Sequence, residues 1–511
     1  MRVRTLIFAI IFLISRFFLN NPQPVFFDSP EYIARFSDPN FLQAIYSGHI
    51  PLHLGYILIS WPIYQLFLFL GQNPLYYVLI LQTILSFLGI IAFYKITCAL
   101  SNKNVALISS IIISFLPLFW ITNVSVMMEA IYIPFFFISL YFLYKYSAKN
   151  NLFNLLLFSL FWGLSFLTHS AILLWTPFIL YFIYIRNRKK ILRVTIAFSI
   201  SLILFSFINS YFISILNNNI LLGLSDLYLK ELGSRANLNF SIISIAVIFR
   251  NFLIPLLRNN TSLVILLGFV SLFSLFKKNK QLFILSLLWI IPSLITNQWW
   301  DSLFFGRHAL ISSFAFAFLT SLLIYKHKFA IIIVIFYLSI TTIPAMFLLK
   351  TDIPYLVLKA EVQKLPSGGL YIESHFARPQ LDKVYSGNQH FVDEPSYATV
   401  NLKDEIDITF KENKPVFISS QALSEPYGLY SGPYLHNLAL SYRNDFVLKD
   451  TLENYSLKPY LVINKEDNLI IYKIKSIKRS PYPEVKSMKK NKRRLDYYDP
   501  LFKLWLFFYK K

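Results

Sequence analysis

Residues 104–146 read NVALISSIIISFLPLFWITNVSVMMEAIYIPFFFISLYFLYKY. Two apolar runs, 104–122 and 131–146, flank a short polar stretch whose single acid is Glu129. Each run approaches the length a helix needs to cross a hydrocarbon core, and a soluble core has no use for repeated blocks of that length. Working outward, similar blocks recur at 5–20, 52–70, 75–98, 151–168, 170–186, 191–214, 240–258, 260–276, 281–297, 309–325 and 329–349. The spacing predicts an α-helical polytopic membrane protein.

Composition agrees. Of 511 residues, 56% are hydrophobic and only 14% charged, where a soluble domain carries about 25% charged residues. Phe and Tyr alone number 51 and 32, which supplies the wide apolar rings that pack and face lipid. The net charge of +22 would suggest nucleic acid in a soluble chain. In a membrane chain the same excess marks cytoplasmic loops and anionic lipid, so nucleic acid is set aside as a partner. A single cysteine, Cys98, excludes an intrachain disulfide and a cysteine-rich metal site. The start, MRVRTLIFAIIFLISRFFLNN, is basic then apolar with no small-x-small cleavage site after it, and reads as a retained first helix.

Beyond residue 349 the character changes. Charge, Gly and Pro rise, and short β-rich runs appear, such as Gly369-Leu-Tyr-Ile and Pro415-Val-Phe-Ile-Ser. The expected organisation is a membrane domain over 1–349, a small soluble α/β domain over 350–475, and a basic aromatic tail over 476–511.

The positive-inside rule arbitrates the topology. Segments 52–70 and 240–258 carry interrupting residues: Gly55 and Pro62 just after Pro51 in the first, Arg250, Pro255 and Arg258 in the second. If both stay at the outer interface, eleven spans remain. Lys95, Lys103, Lys145, Lys149, Arg186, Arg188, Lys189, Lys190 and Arg193 then all lie inside. If both cross, giving thirteen spans, those nine basic residues move outside against the rule. Eleven spans are therefore preferred, with the N-terminus cytoplasmic and the C-terminal domain extracytoplasmic.

In that topology the polar residues able to do chemistry gather on the outer side. The first outer loop, PVFFDSPEYIARFSDPNFLQAIYSGHIPLHLGYILISWP, carries Asp28, Glu31, Arg35, His49 and His53. Asp28 or Ser29 can equally serve as an N-cap for a short helix starting at Pro30. Glu129 is a lone acid between long apolar segments, where an ionisable group is costly and is a functional candidate by default. A bland alternative is a loop residue wetted at the interface. Arg307 precedes a late span in FGRHALISSF; it can snorkel to headgroups, or bind phosphate through paired hydrogen bonds. His49 and His53 are four apart, but Pro51 between them disfavours the helix a metal pair would use. A contact to phosphate or to a sugar hydroxyl suits them better. His169 reads as a buried or interfacial turn residue.

Four features taken in order resemble the GT-C membrane glycosyltransferases, in particular the branch of protein O-mannosyltransferases and the lipid A aminoarabinose transferase. They are an acid shortly after the first helix (FFDSPEY), a His-Ile-Pro-Leu segment (HIPLHLGYILISWP), a span leading to a lone acid at Glu129, and an Arg-aromatic start to a late span (FGRHALISSFAFAFL). The resemblance covers about residues 1–350. It departs in having Glu at the second acid where Asp is commoner, Ile in place of a first Pro, and His308 in place of the usual Tyr.

The resemblance implies transfer of a sugar from a polyprenyl-phosphate donor to an acceptor hydroxyl on the outer side, and a direct displacement with a single base predicts inversion. In that scheme Asp28 is the general base and Glu129 orients the acceptor or holds the local network. Arg307 binds the lipid phosphate with help from His49, His53, Arg35 or Glu31. The acceptor class (glycan, lipid or protein) and any cofactor, including a divalent cation, stay open. The competing readings are a flippase or transporter of lipid-linked saccharides, a polymerase or ligase, and a non-catalytic scaffold for cell-envelope assembly. The absence of an internal repeat weakens the transporter.

Overall fold

The computed structural model describes residues 2–20, 29–47, 53–217, 253, 256–257, 261–299, 306–348, 354–374, 381–392, 402–423, 452, 455–464, 469–476 and 499–509. The chain divides into two compact units. One is helical and comprises 1–22, 31–347 and 498–511; the other comprises 23–30 and 348–497. The long run of the helical unit ends at 347, and residues 498–511 group with that unit.

The helical unit begins with α1 (Arg2–Leu19), then the short helices α2 (Ser29–Ser37) and α3 (Phe41–Tyr46). Next come α4 (Leu54–Phe69), α5 (Pro74–Leu100), α6 (Lys103–Ser114), α7 (Pro117–Val124), α8 (Glu129–Lys149) and α9 (Leu152–Thr168). After a 3-10 turn, Ser170–Trp175, follow α10 (Thr176–Asn187), α11 (Ile191–Asn217), α12 (Ser262–Lys278), α13 (Lys280–Trp299), α14 (Leu310–Ile324) and α15 (Lys328–Leu348). Among the described residues three segments are long and apolar enough to cross a membrane, namely α5, α8 and the stretch Ser170–Phe212 that contains α10 and most of α11, and α6 with α7 form a further span broken by a 64° bend.

Asparagine builds the tight turns at one end. Asn102 Oδ1 accepts from the N–H groups of Asn104 and Val105 at the start of α6. Asn150 ends α8 in the left-handed region (φ 53), and Asn151 Oδ1 accepts from Phe153 N at the start of α9. Such side-chain acceptors meet helix N–H groups that have no partner within the helix.

Helices α5 and α8 run parallel. Gly89 lies where a Cβ would meet Pro134 Cα at 2.7 Å, so only glycine allows this approach. Pro134 has no N–H to give Ala130 O, and the Ser86 hydroxyl supplies a donor to that carbonyl at 3.4 Å. Further along, the Phe93 and Phe137 rings lie 5.4 Å apart. Phe314 of α14 lies 4.3 Å from Phe137 and 5.0 Å from Phe93, and these rings form the centre of the core.

This parallel packing orders the two ends of the bundle. Lys95 lies toward the C-terminus of α5, Lys145 and Lys149 toward that of α8. The same end holds Arg186, which donates to Ala99 O, and Lys190, whose Nζ donates to Tyr146 O at 2.9 Å and Ser147 O at 3.1 Å. Glu129 begins α8 at the opposite end. Gln82 of α5 donates to the Tyr56 hydroxyl of α4 at 2.6 Å, and Phe67 stacks on Tyr77 at 3.4 Å. So α4 climbs away from the basic end and the chain returns through α5. Segment 52–70 does not cross to the basic end; most of segment 240–258 lies outside the described residues.

A final helix, α18 (Pro500–Tyr509), returns to the helical unit. Asp499 is buried and caps two helices: Oδ1 accepts from Phe502 N at 3.0 Å, Oδ2 from Ser262 N at 2.6 Å. Tyr337 of α15 donates its hydroxyl to Oδ1 at 2.5 Å. Both helix dipoles point their positive ends at this carboxylate. Asp499→Ala should lower stability by about 2 kcal/mol or more, read as a fall in the thermal midpoint of the purified protein, with Asp499→Asn in between.

The second unit is a five-stranded sheet, order β2-β1-β3-β5-β4. Its strands are β1 (Leu370–Ser374), β2 (Asn388–Val392), β3 (Val416–Ser419), β4 (Tyr455–Asn464) and β5 (Leu469–Ser476). β1 pairs in parallel with β2 and β3; β5 pairs antiparallel with β3 and β4. Period-two alternation sends Tyr371 and Phe417 to one face, under α16 (Pro354–Val362), and Ile372 and Ile418 to the other, under α17 (Leu402–Lys411). The expected membrane protein with a small C-terminal α/β unit is the architecture observed.

Candidate active site

The site forms where the start of α8 meets the start of α14. The chain leaves the bent span at Val124 and passes through 125–128, all buried, before Glu129 opens α8. A carboxylate in the first turn faces the positive end of the helix dipole. Arg307 sits in a 3-10 turn, Gly306–Ala309, directly before α14. Its Nε lies 3.2 Å from Glu129 Oε1, with side-chain exposures of 6% and 0%. The two charges have traded water for each other. Breaking such a pair on one side costs about 3–5 kcal/mol, because the remaining charge stays buried.

Aromatic and imidazole rings surround the pair. Tyr132, one turn beyond Glu129, lies 4.9 Å from the His169 ring, and the Ser165 hydroxyl donates to Tyr132 O at 2.8 Å. His169 lies 5.8 Å from His53. Tyr32 packs edge-on against Tyr56 at 4.7 Å and sends its hydroxyl to Met128 Sδ at 3.4 Å. Tyr56 and Tyr132 both lie within electrostatic reach of Glu129. Helices α2, α4, α8, α9 and α14 thereby converge on one buried polar cluster.

His53 is held firmly. It occupies the left-handed region (φ 46), which is costly for a residue with a Cβ, and strain of this kind gathers at functional sites. Its Nδ1 lies 2.9 Å from Thr168 O. A carbonyl only accepts, so Nδ1 carries the proton. Gly55 makes the approach possible, since a Cβ there would sit 2.4 Å from Thr168 Oγ1 and 2.8 Å from Thr168 N. His169 has the opposite polarity: its Nδ1 accepts from Ala171 N at 3.2 Å, which leaves its proton on Nε2.

Of the residues singled out from the sequence, Glu129, Arg307 and His53 lie in or beside this cluster. Arg35 is buried and locks α2 onto α3, donating to Ala44 O at 2.8 Å and Ile45 O at 3.1 Å. Its Nη1 is 3.6 Å from Glu31 Oε1. Burial pushes the Arg35 guanidinium down from its ordinary value, and nearby Tyr32 and Glu31 pull it back up. Asp28 and His49 lie outside the described residues, as does the side chain of His308. The second unit carries a buried acid of its own, Glu373. It is buried in β1, accepting from the hydroxyls of Tyr371 and Ser419 at 2.5 Å each, while His375 and Arg378 lie outside the described residues.

Sequence reasoning missed Tyr32, Tyr56 and Tyr132. The usable signal was local spacing: Tyr132 follows Glu129 by three on one face of α8, and Tyr56 lies one turn beyond His53, the residue that precedes α4. Among the described residues no three His, Cys, Asp or Glu side chains converge as a metal site would require.

Residues 57–212 match the family model described as dolichyl-phosphate-mannose-protein mannosyltransferase. No curated protein matches the sequence. Among solved structures, ArnT from Cupriavidus metallidurans bound to undecaprenyl phosphate superposes with a TM-score of 0.52 at 10% identity, covering 92% of this chain and 97% of that one. The Archaeoglobus fulgidus oligosaccharyltransferase tethered with an acceptor peptide containing the NVT sequon gives 0.50 at 11% identity, covering 96% and 77%. The chain shares its fold with membrane glycosyltransferases of the GT-C type, as the order of its motifs implied.

Proposed function

We propose that this chain is a membrane glycosyltransferase that takes a sugar from a polyprenyl-phosphate donor and transfers it to an acceptor hydroxyl on the extracytoplasmic side. The observation that carries the reading is the buried Glu129–Arg307 pair. It lies at the opposite end of the bundle from the basic residues that mark a cytoplasmic face. The shared fold supports the reaction class, and the undecaprenyl phosphate bound to one of the named structures supports a polyprenyl-phosphate donor.

The chemistry needs little. The lipid phosphate is already a good leaving group. Asp28 takes the proton from the acceptor hydroxyl, whose oxygen attacks the anomeric carbon. The bond from that carbon to the phosphate oxygen breaks, and its electron pair leaves with the polyprenyl phosphate. Arg307 stabilises the charge developing on the departing phosphate. Glu129 fixes the plane of that guanidinium through Nε and spares the site a lone buried cation. His53, with its proton on Nδ1, keeps Nε2 as an acceptor. A single displacement inverts the anomeric centre.

Purified protein in vesicles, given radiolabelled polyprenyl-phosphate sugar and an acceptor mixture, tests this. Labelled product with inverted linkage is the expected result. Movement of the intact lipid across the vesicle without transfer would replace the enzyme with a translocator.

A further inference from the structure

Arg16 of α1 is fully buried, yet among the described residues no carboxylate pairs with it. Its Nη2 donates to Ser114 O, Nη1 to Phe12 O at 3.4 Å and Ser15 Oγ at 3.1 Å, and Nε to Asn123 Oδ1 at 3.4 Å. The guanidinium lies 3.7 Å over the Phe12 ring. A charge inside a membrane protein is expensive and marks a task. The task is legible in the partners.

Ser114 is the last residue of α6, and Asn123 lies in the last turn of α7. Between them the span bends by 64°. A break at membrane depth exposes carbonyls that the helix no longer satisfies, and neighbouring groups must supply donors. Arg16 takes the Ser114 carbonyl. Thr342 of α15 takes the next, Phe115 O, at 2.6 Å. The planar fork of Arg16 then grips α7 from the same position, which a lysine's single head cannot do. Five residues after Asn123 comes Met128, and then Glu129.

We propose that Arg16 is a positioning residue. It fixes the bend between α6 and α7, and so holds segment 125–128 in the path that delivers Glu129 to Arg307. The proposal rests on the transferase reading for its kinetic consequence, but not for its structural one.

Two measurements separate these. The first uses protein with Cys98 replaced and a single cysteine at Met127, which is fully buried. Arg16→Gln and Arg16→Lys should each raise the rate of maleimide labelling there by about tenfold or more. A control cysteine at Ser321, buried in α14, should not change. Unchanged labelling at 127, or an equal rise at 321, overturns the proposal. The second is a double-mutant cycle of Arg16→Gln with Asn123→Ala on transfer. The expected result is a fall in kcat with KM for the donor unchanged, and a double mutant no worse than the poorer single. Additive losses, or a change confined to KM, overturn it. If wild-type protein transfers nothing, the reaction proposed above fails, while the labelling arm still decides the latch.

Discussion

Arg307→Met should reduce transfer by at least about 100-fold, the scale set by removing one preorganised donor to a developing negative charge. It should also destabilise the protein by about 3–5 kcal/mol, because Glu129 is left buried without its cation. Arg307→Lys should recover stability better than rate, since an ammonium restores charge but not the planar fork. The partner substitution, Glu129→Gln, should destabilise for the mirror-image reason. Combining Glu129→Gln with Arg307→Met removes both charges, so the double variant should lose much less stability than the two single losses combined. Unfolding midpoints and initial transfer rates of the four proteins measure this. An additive double variant would mean that the two side chains do not depend on each other.

Asp28→Asn should abolish transfer, with a loss of about 100- to 10,000-fold for a general base, while fold and donor-lipid binding persist. The amide keeps the size and the capping oxygen of the carboxylate but cannot accept the hydroxyl proton. Donor binding measured by competition with polyprenyl phosphate should stay near the wild-type value. Normal turnover in this variant would remove Asp28 from the chemistry and leave a capping role for it.

Much of this architecture was legible in the sequence, and for physical reasons. Spanning helices must be long and apolar, so 75–98 and 131–146 announced α5 and α8 closely. The alternation in Gly369-Leu-Tyr-Ile and Pro415-Val-Phe-Ile-Ser announced β1 and β3, whose side chains face opposite layers. Glu129 and Arg307 were each visible as costly polar residues in apolar surroundings, but nothing local ties residues 178 positions apart in the chain. Arg16 escaped notice for a different reason. An arginine near the end of a first helix reads as an interfacial anchor, and only the fold shows it turned inward onto Ser114 and Asn123. Asp499 was equally hidden in a basic tail, where its value comes from two helix starts distant in sequence.

The account depends on which face of the membrane the Glu129 end of the bundle occupies. Single cysteines at Gln72 and Asn150, both exposed and at opposite ends of the helical unit, decide it in a protein lacking Cys98. In intact cells an impermeant maleimide should label position 72 and reach position 150 only after permeabilisation. Labelling at 150 with protection at 72 would turn the acid–arginine pair toward the cytoplasm and contradict the proposed reaction on the outer face.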